Sequence, residues 1–420
     1  MNILYINHYA GTPLYGMEFR PYYLSQEWIK KEHKVRILAA NFSHVRSCQP
    51  KTETLPKQGK AFVELIDNIE YFWYNTPHYN GNGVARVKNI WAFCRQVWQD
   101  TNNIIQSFQP DIVICSSTYP LDIWLGSHIV KQTKKTGKKC KLVFEIHDLW
   151  PLSPIELGGM SRKHPFIILC QAAENYACRH ADIVVSMLPN VSEHLAQHGL
   201  NLKKLTIIPN GVVEKDWQPE NISPISGSLK HFLISQKNQN KTIVGYAGSH
   251  GNPNALEYLL DAAKLLKNKP ISFVLVGGGL EKENLIKKAK DEAIDNIYFF
   301  DPIVKTQIPD LLRHFDIAYI GWRQVPIYRF GISPNKLTDY MMAECPILHS
   351  VKAGNDLVYD AGCGLTVEPE NPQEIANGIM QLFRLPENEL QKIGKQGKAY
   401  ILKNQTYTVL AEQFLNAIIH

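Results

Sequence analysis

The chain has no C-x-x-C pair; its eight cysteines are scattered between Cys48 and Cys363. That spacing fits reduced, partly buried thiols in a reducing compartment rather than a disulfide framework. No stretch approaches the ~20 apolar residues of a spanning helix, so a membrane can be met only peripherally. The amino terminus "MNILYINHYAG" enters a strand with no basic segment before it and no small-residue cleavage site, so no signal peptide is expected. There is no D-x-D and no evident His, Cys, Asp and Glu spacing for a metal, so no metal is expected. Low-complexity tracts and short repeats are also missing. The G-x-G-x-x-G fingerprint is incomplete: after Gly277 and Gly279 stand Glu281 and Lys282, so a nicotinamide cofactor has little support and no cofactor is expected. No dense basic-aromatic patch marks a nucleic-acid binder.

What is present is a soluble composition, 45% hydrophobic and 20% charged, over 420 residues with a net charge of +6. That length suggests two or three domains. Short apolar runs alternate with amphipathic helical segments, as in parallel sheets covered on both faces. The pattern pauses in the polar stretch 217–241 and restarts at "TIVGYAGS". The expected fold is therefore α/β, with two Rossmann-like, doubly wound domains facing a cleft: 1–215, then 216–400, with a last helix at about 401–420 packing back on the first. Ligands in such sheets bind at the carboxyl ends of the strands.

Several loops at predicted strand ends carry candidate residues. In "GTPLYGMEFR", Gly16 permits close approach of backbone to a ligand. Glu18 and Arg20 follow as supporting residues. In "VFEIHDLWP", His147 ends a buried strand and can move a proton or bond a sugar hydroxyl, and Asp148 can orient it or cap the next segment before Pro151. In "YAGSHGNPNAL", Gly248 and Ser249 precede a helix that Asn254 can cap. In "FGISPNKLTDY", Ser333 reads as an N-cap with Pro334 at the first helical position. Free N–H groups, Asn335 and the Lys336 ammonium then meet at one point suited to a diphosphate. Asp339, three residues on, can accept two ribose hydroxyls. A solvated surface ion pair between Lys336 and Asp339 is the plainer reading. The segment 84–101 carries Val84, Val87, Trp91, Cys94, Trp98 and Thr101 at helical spacing, with Ile90, Phe93 and Val97 widening that face and Arg86, Lys88 and Arg95 elsewhere on its surface. Such a stripe packs a core, or lies with its Trp and basic residues at a membrane interface.

In order and spacing these loops resemble the large retaining glycosyltransferase family typified by sucrose synthase and bacterial mannosyltransferases (family 4), with the GT-B fold. "YGMEF" is similar to its Gly-Gly-x-Glu loop, "HD" to its active-site histidine, and "IIPNGV" to its I-x-N-G-V at the domain crossing. "VLVGGGLEKENL" resembles its V-G-x-G segment, which brings in Gly277, and "DAGCGLTV" a later one. Two departures stand out: Gly331 occupies the place of the family's sugar-binding Glu, and Ser249 and Asn254 occupy those of its diphosphate-binding Arg and Lys. With those departures the chain looks like a subgroup that includes the N-acetyl-L-fucosaminyl transferase of O-antigen synthesis. The resemblance implies a metal-independent enzyme with a UDP-sugar donor and a lipid-diphosphate-linked saccharide acceptor. It implies His147 as catalytic, Gly16, Gly248, Ser249, Ser333, Asn335 and Lys336 at the diphosphate, and Asp339 at the ribose. The expected location is cytoplasmic, peripheral on the anionic inner membrane, in bacterial surface-polysaccharide synthesis. The alternatives are a UDP-sugar 2-epimerase of similar fold and a non-catalytic nucleotide-sugar binder.

Overall fold

The structure, a computed structural model, describes every residue except Met17, Glu18, Asn82 and His420. It divides into two units, residues 1–210 with 407–420, and residues 211–406. The crossings thus fall at Asn210–Gly211 and Thr406–Tyr407 rather than at 215 and 401.

Unit 1 is built on β1 (Asn2–Ile6), β2 (Lys34–Ala40), β3 (Lys57–Gln58), β4 (Ala61–Ile66), β5 (Ile69–Tyr74), β6 (Ile112–Cys115), β7 (Lys141–Ile146), β8 (Ile183–Ser186) and β9 (Leu205–Ile207). The order across the sheet is β3-β4-β5-β2-β1-β6-β7-β8-β9. β4 pairs antiparallel with β3 and with β5; all other pairings are parallel, and the strands they join are mostly buried, which is why they read as apolar runs. Strands β3 to β5 carry no alternation with helices, and the sequence reading passed over them. The chain turns in opposite directions from β1 to β2 and from β1 to β6, so the carboxyl ends of β1 and β6 form a switch point. The Arg20–Lys30 helix covers one face with the Tyr407–Ile419 helix against it. Trp28, fully buried, donates its indole N–H to Ala411 O at 3.1 Å and meets the Phe414 ring edge-on. A buried Trp is among the largest single apolar contributions a core can contain.

Unit 2 has β10 (Thr242–Ala247), β11 (Ile271–Val276), β12 (Ile297–Phe300), β13 (Ile317–Gly321), β14 (Ile347–Ser350) and β15 (Gly364–Thr366). All are parallel, in the order β12-β11-β10-β13-β14-β15. The switch point lies between β10 and β13, so the loop after β10 and the helix after β13 flank one crevice. Apolar side chains fill both faces: Leu337, Tyr340 and Met341 on one, Leu256, Leu259 and Ile379 on the other.

The Val84–Gln99 helix has two apolar faces. Ile90, Phe93 and Val97 are buried, whereas Val84, Val87, Trp91 and Trp98 are exposed. Of the broad face marked in the sequence, the core thus takes the Ile90, Phe93 and Val97 edge and leaves the valines and tryptophans outside. Cys94 is half-buried, and Thr101 is buried at the start of the next helix. No described helix is long and apolar enough to cross a membrane.

Candidate functional site

The first site lies in unit 1, at the carboxyl ends of β6 and β7. Glu145, near the end of β7, is fully buried and shared by four groups. Arg20 Nε donates to Oε1 at 2.9 Å. Tyr5 OH and Ser116 Oγ donate to Oε2, the latter at 2.6 Å, and His147 Nε2 lies 3.4 Å from the same oxygen. Burial alone would raise the Glu145 carboxyl; the Arg20 guanidinium, with help from His147 and Ser116, holds it well below the usual carboxylate range. Arg20 spends its remaining donors on the Pro209 and Ile208 carbonyls at 2.6 and 2.9 Å. Ser116 Oγ lies 2.8 Å from His147 Nε2. The imidazole is thus anchored at Nε2 by a hydroxyl and a carboxylate.

Arg20 holds Glu145 and, through it, the His147 network. Asp148, the next residue, is exposed, and Ser116 and Glu145 both reach His147 Nε2. Glu145 was missed, although an acid inside the apolar run "VFEI" was its signal: a charge at a buried strand position demands a partner. Gly16 has φ +96°, and a Cβ there would meet Ser47 Oγ at 2.7 Å, so local packing already requires glycine. Glu18 lies outside the described residues.

The second site lies in unit 2, around Lys336. The helix starts at Asn335 with Pro334 as its N-cap and no side-chain cap bond, so Ser333 does not cap it. Pro334 sits at ψ 130°, outside the helical region. Lys336 nevertheless falls in the first turn. Its Nζ donates to Tyr246 OH at 2.7 Å and to Asn254 Oδ1 at 3.0 Å, and lies 4.1 Å above the Tyr246 ring centre. It makes no ion pair with Asp339, which removes the reading of a solvated surface pair. Burial lowers the ammonium to about 7. Asn254 does not cap the following helix: Ala255, at φ +48°, stands there. Its amide instead joins Lys336 to Ser249 O, on which Tyr246 OH also converges at 2.6 Å.

Gly248 and Gly277 let the loops after β10 and β11 touch. Gly248 has φ +151°, and its Cβ would meet Lys336 Cε at 2.7 Å; a Cβ on Gly277 would meet Gly248 O at 1.8 Å. Between them His250 is fully buried with neither ring nitrogen hydrogen-bonded, and burial, Lys282 and Lys336 lower it to about 4. A neutral imidazole is the form that survives there. One turn after Lys336, the half-buried Asp339 carboxylate accepts no hydrogen bond among the described residues. Burial pushes it up to about 7, with Lys305 opposing and Asp216 adding. Gly331 has φ +98°, a conformation that disfavours any side chain, so the family's Glu would be strained at this position. Ser333 is half-buried and Asn335 exposed beside the helix start.

The structure thus gathers Gly248, Ser249, Gly277 and Lys336 in unit 2, with Asp339 one turn along, and places Arg20 and His147 in one network in unit 1. Trp91, Arg95 and Trp98 share the outward side of their helix, where Trp98 stacks on His128 at 3.8 Å.

The two-sheet architecture is the GT-B fold. It matches sucrose-phosphate synthase from Thermosynechococcus elongatus with a TM-score of 0.71 at 14% identity, covering 99% of this chain and 98% of that one. Anabaena Alr3699/HepE, solved in complex with UDP and glucose, matches with a TM-score of 0.66 at 15% identity, covering 100% and 99%. Residues 15–215 match the family described as Glycosyltransferase Family 4, and residues 241–384 the family described as Glycosyl transferases group 1. Two glycosyltransferase family models thus match successive parts of the chain. Among curated relatives, WcaI of Escherichia coli (strain K12), named as a colanic acid biosynthesis glycosyl transferase, is 23% identical over 61% of this chain and 62% of its own length. WbjE of Pseudomonas aeruginosa, named as a glycosyltransferase, is 20% identical over 65% of this chain and 67% of its own. An N-acetylglucosamine transferase of Protochlamydia amoebophila, whose name gives UDP-N-acetylglucosamine as donor and a pyrophosphoryl-undecaprenol acceptor, is 20% identical over 64% and 59%.

Proposed function

We propose that the chain is a glycosyltransferase of bacterial surface-polysaccharide synthesis, moving a sugar from a UDP-sugar to a saccharide on a lipid diphosphate. The observation that carries this is the Lys336 crevice: a desolvated ammonium in a helix's first turn, with an unpartnered carboxylate one turn on. A cation at a helix N-terminus is locally unfavourable and makes sense where a polyanion is bound. The diphosphate lies on the helix end, Lys336 and the Gly248 backbone; the ribose hydroxyls lie on Asp339. As the glycosidic bond breaks, negative charge grows on the diphosphate, and fixed dipoles plus Lys336 stabilise it. These groups supply the charge for which other transferases use D-x-D and a divalent ion. His147, held through Ser116 and Glu145, serves the acceptor side. Retention follows the family resemblance, with same-face attack and no covalent glycosyl-enzyme. The subgroup resemblance favours a hexosyl or N-acetylhexosaminyl donor, and the undecaprenol-linked relative supports the lipid acceptor.

The exposed Trp91 and Trp98, with Arg95 and Lys88 beside them, support a peripheral contact with anionic lipid. Exposed Lys131, Lys134 and Lys135 on the adjoining Asp122–Lys135 helix add attraction.

The test offers UDP-sugars together with a lipid-diphosphate acceptor. Transfer with UDP release is expected. UDP release without a glycosylated acceptor would indicate the epimerase-like reading, and UDP binding with no turnover a non-catalytic binder.

A further inference from the structure

Unit 1 carries a second cluster of ionisable side chains that the proposed reaction does not use. Glu174 lies in the Pro165–His180 helix; His194 lies in the Ser192–Gln197 helix and His198 is its C-terminal cap. The four-residue spacing puts both imidazoles on one side. Their Nε2 atoms converge on one carboxylate: His194 Nε2 is 2.9 Å from Glu174 Oε1, and His198 Nε2 is 3.9 Å from Glu174 Oε2. The three ligand atoms all lie within 4.8 Å of one another. Glu174 is 2% exposed and His194 9%, while His198, at 24%, leaves a way in from solvent.

Outer contacts set the tautomer of His198. Its Nδ1 lies 2.7 Å from Asn175 Oδ1, an acceptor. Gln171 Nε2 is 3.2 Å from the same nitrogen, but its two hydrogens go to closer oxygens, Glu174 Oε2 at 2.7 Å and Asn175 Oδ1 at 3.0 Å. Nδ1 therefore carries a proton, and in the neutral form of the ring Nε2 turns a lone pair toward a carboxylate. Two electron-pair donors facing one gap call for a cation between them. A ring whose far nitrogen donates to an oxygen acceptor is also how metal-ligating histidines are usually oriented.

We propose that Glu174, His194 and His198 bind a divalent transition metal of the zinc class. Two imidazoles and one carboxylate suit such an ion, whereas magnesium and calcium favour all-oxygen sets. Tetrahedral bonds of about 2.0–2.1 Å place ligand atoms roughly 3.3 Å apart, so a small rotation of the His198 ring closes the site. The ion ties two helices together and leaves one position for water. Glu174 also lines a small cavity with Ser117, Asp148 and Trp150, which puts the cluster beside the loop after His147. The sequence reading found no metal spacing here because His194 and His198 show only the spacing of a helical pair, and the third residue of the proposed site comes from the preceding helix.

The site belongs to unit 1 and the donor crevice to unit 2, and its test does not depend on the proposed reaction. Tag-free protein is stripped with a chelator and titrated with Zn2+ by calorimetry, and its melting temperature is followed with and without the ion. One equivalent bound at micromolar affinity or tighter is expected, with a higher melting temperature in its presence. The His194→Ala/His198→Ala variant should weaken binding about a hundredfold or more, while His231→Ala, at an exposed histidine elsewhere, keeps it. Because the double variant can lose stability, Co2+ loading of the unaltered protein gives a second reading. Strong visible absorption reports the expected four-coordinate site. No stoichiometric binding, equal binding by the double variant, or only the weak colour of six-coordinate cobalt would overturn the proposal and leave a proton as the occupant of the gap.

Discussion

The two sites handle buried charge in opposite ways. In unit 1 the charge is matched before any ligand arrives: Arg20, Tyr5, Ser116 and His147 all close on Glu145, whose carboxyl is held far on the ionised side. In unit 2 it is left open. Lys336 has only neutral partners, Asp339 accepts no hydrogen bond, and both are pushed to about 7. A satisfied network fixes a side chain in place. An unsatisfied pair gains most from a ligand that brings the missing charge and hydroxyls. The difference therefore separates a positioning site from a binding site.

The largest effect should come from breaking the matched side. Glu145→Gln leaves the Arg20 guanidinium buried without its counter-charge, and unit 1 should lose about 3–5 kcal/mol in denaturant melts. A loss under 1 kcal/mol would mean that the carbonyls of Ile208 and Pro209 satisfy Arg20 by themselves. Next, His147→Ala should lower turnover roughly a hundredfold or more while UDP affinity stays nearly unchanged. Wild-type turnover would reduce His147 to a structural residue. On the open side, Lys336→Ala should weaken UDP about tenfold or more and uridine far less, read by calorimetry. Equal losses for both ligands would place the diphosphate elsewhere.

The smallest effect is also the most specific. A diphosphate favours the charged Lys336, so binding raises its pKa and takes up protons at and above pH 7. Ribose hydroxyls favour the ionised Asp339, so binding lowers its pKa and releases protons at and below pH 7. Near pH 7 the two nearly cancel in the wild type. Lys336→Ala should show net proton release on binding UDP, and Asp339→Asn net uptake, from calorimetry in buffers of different ionisation enthalpy. The same sign in both variants would break the pairing of roles.

This contrast explains what could be read in advance. The strand and helix series was legible because parallel strands buried on both faces are apolar runs, and the turn of each sheet follows from their order. The β3–β5 edge was not, since its aromatic strands lack the helical punctuation that marks the others. Lys336 and Asp339 stood out because a charged residue at a loop or helix start advertises itself by type and spacing. The caps were misjudged: Ser333 and Asn254 have the right chemistry, but Pro334 and Ala255 occupy the cap positions, and dihedral angles decided that. Partners remote in sequence, such as Arg20 with Glu145 or Tyr246 with Lys336, are set by the crossing of elements and have no local signature.

The helix Tyr407–Ile419 gives the chain an order of assembly. Unit 2 is one uninterrupted stretch, complete once Thr406 has been made, whereas unit 1 lacks the cover for Trp28 until the residues around Ala411 and Phe414 exist. A chain cut after residue 406 should therefore close unit 2 while leaving unit 1 with an open apolar seam at Trp28.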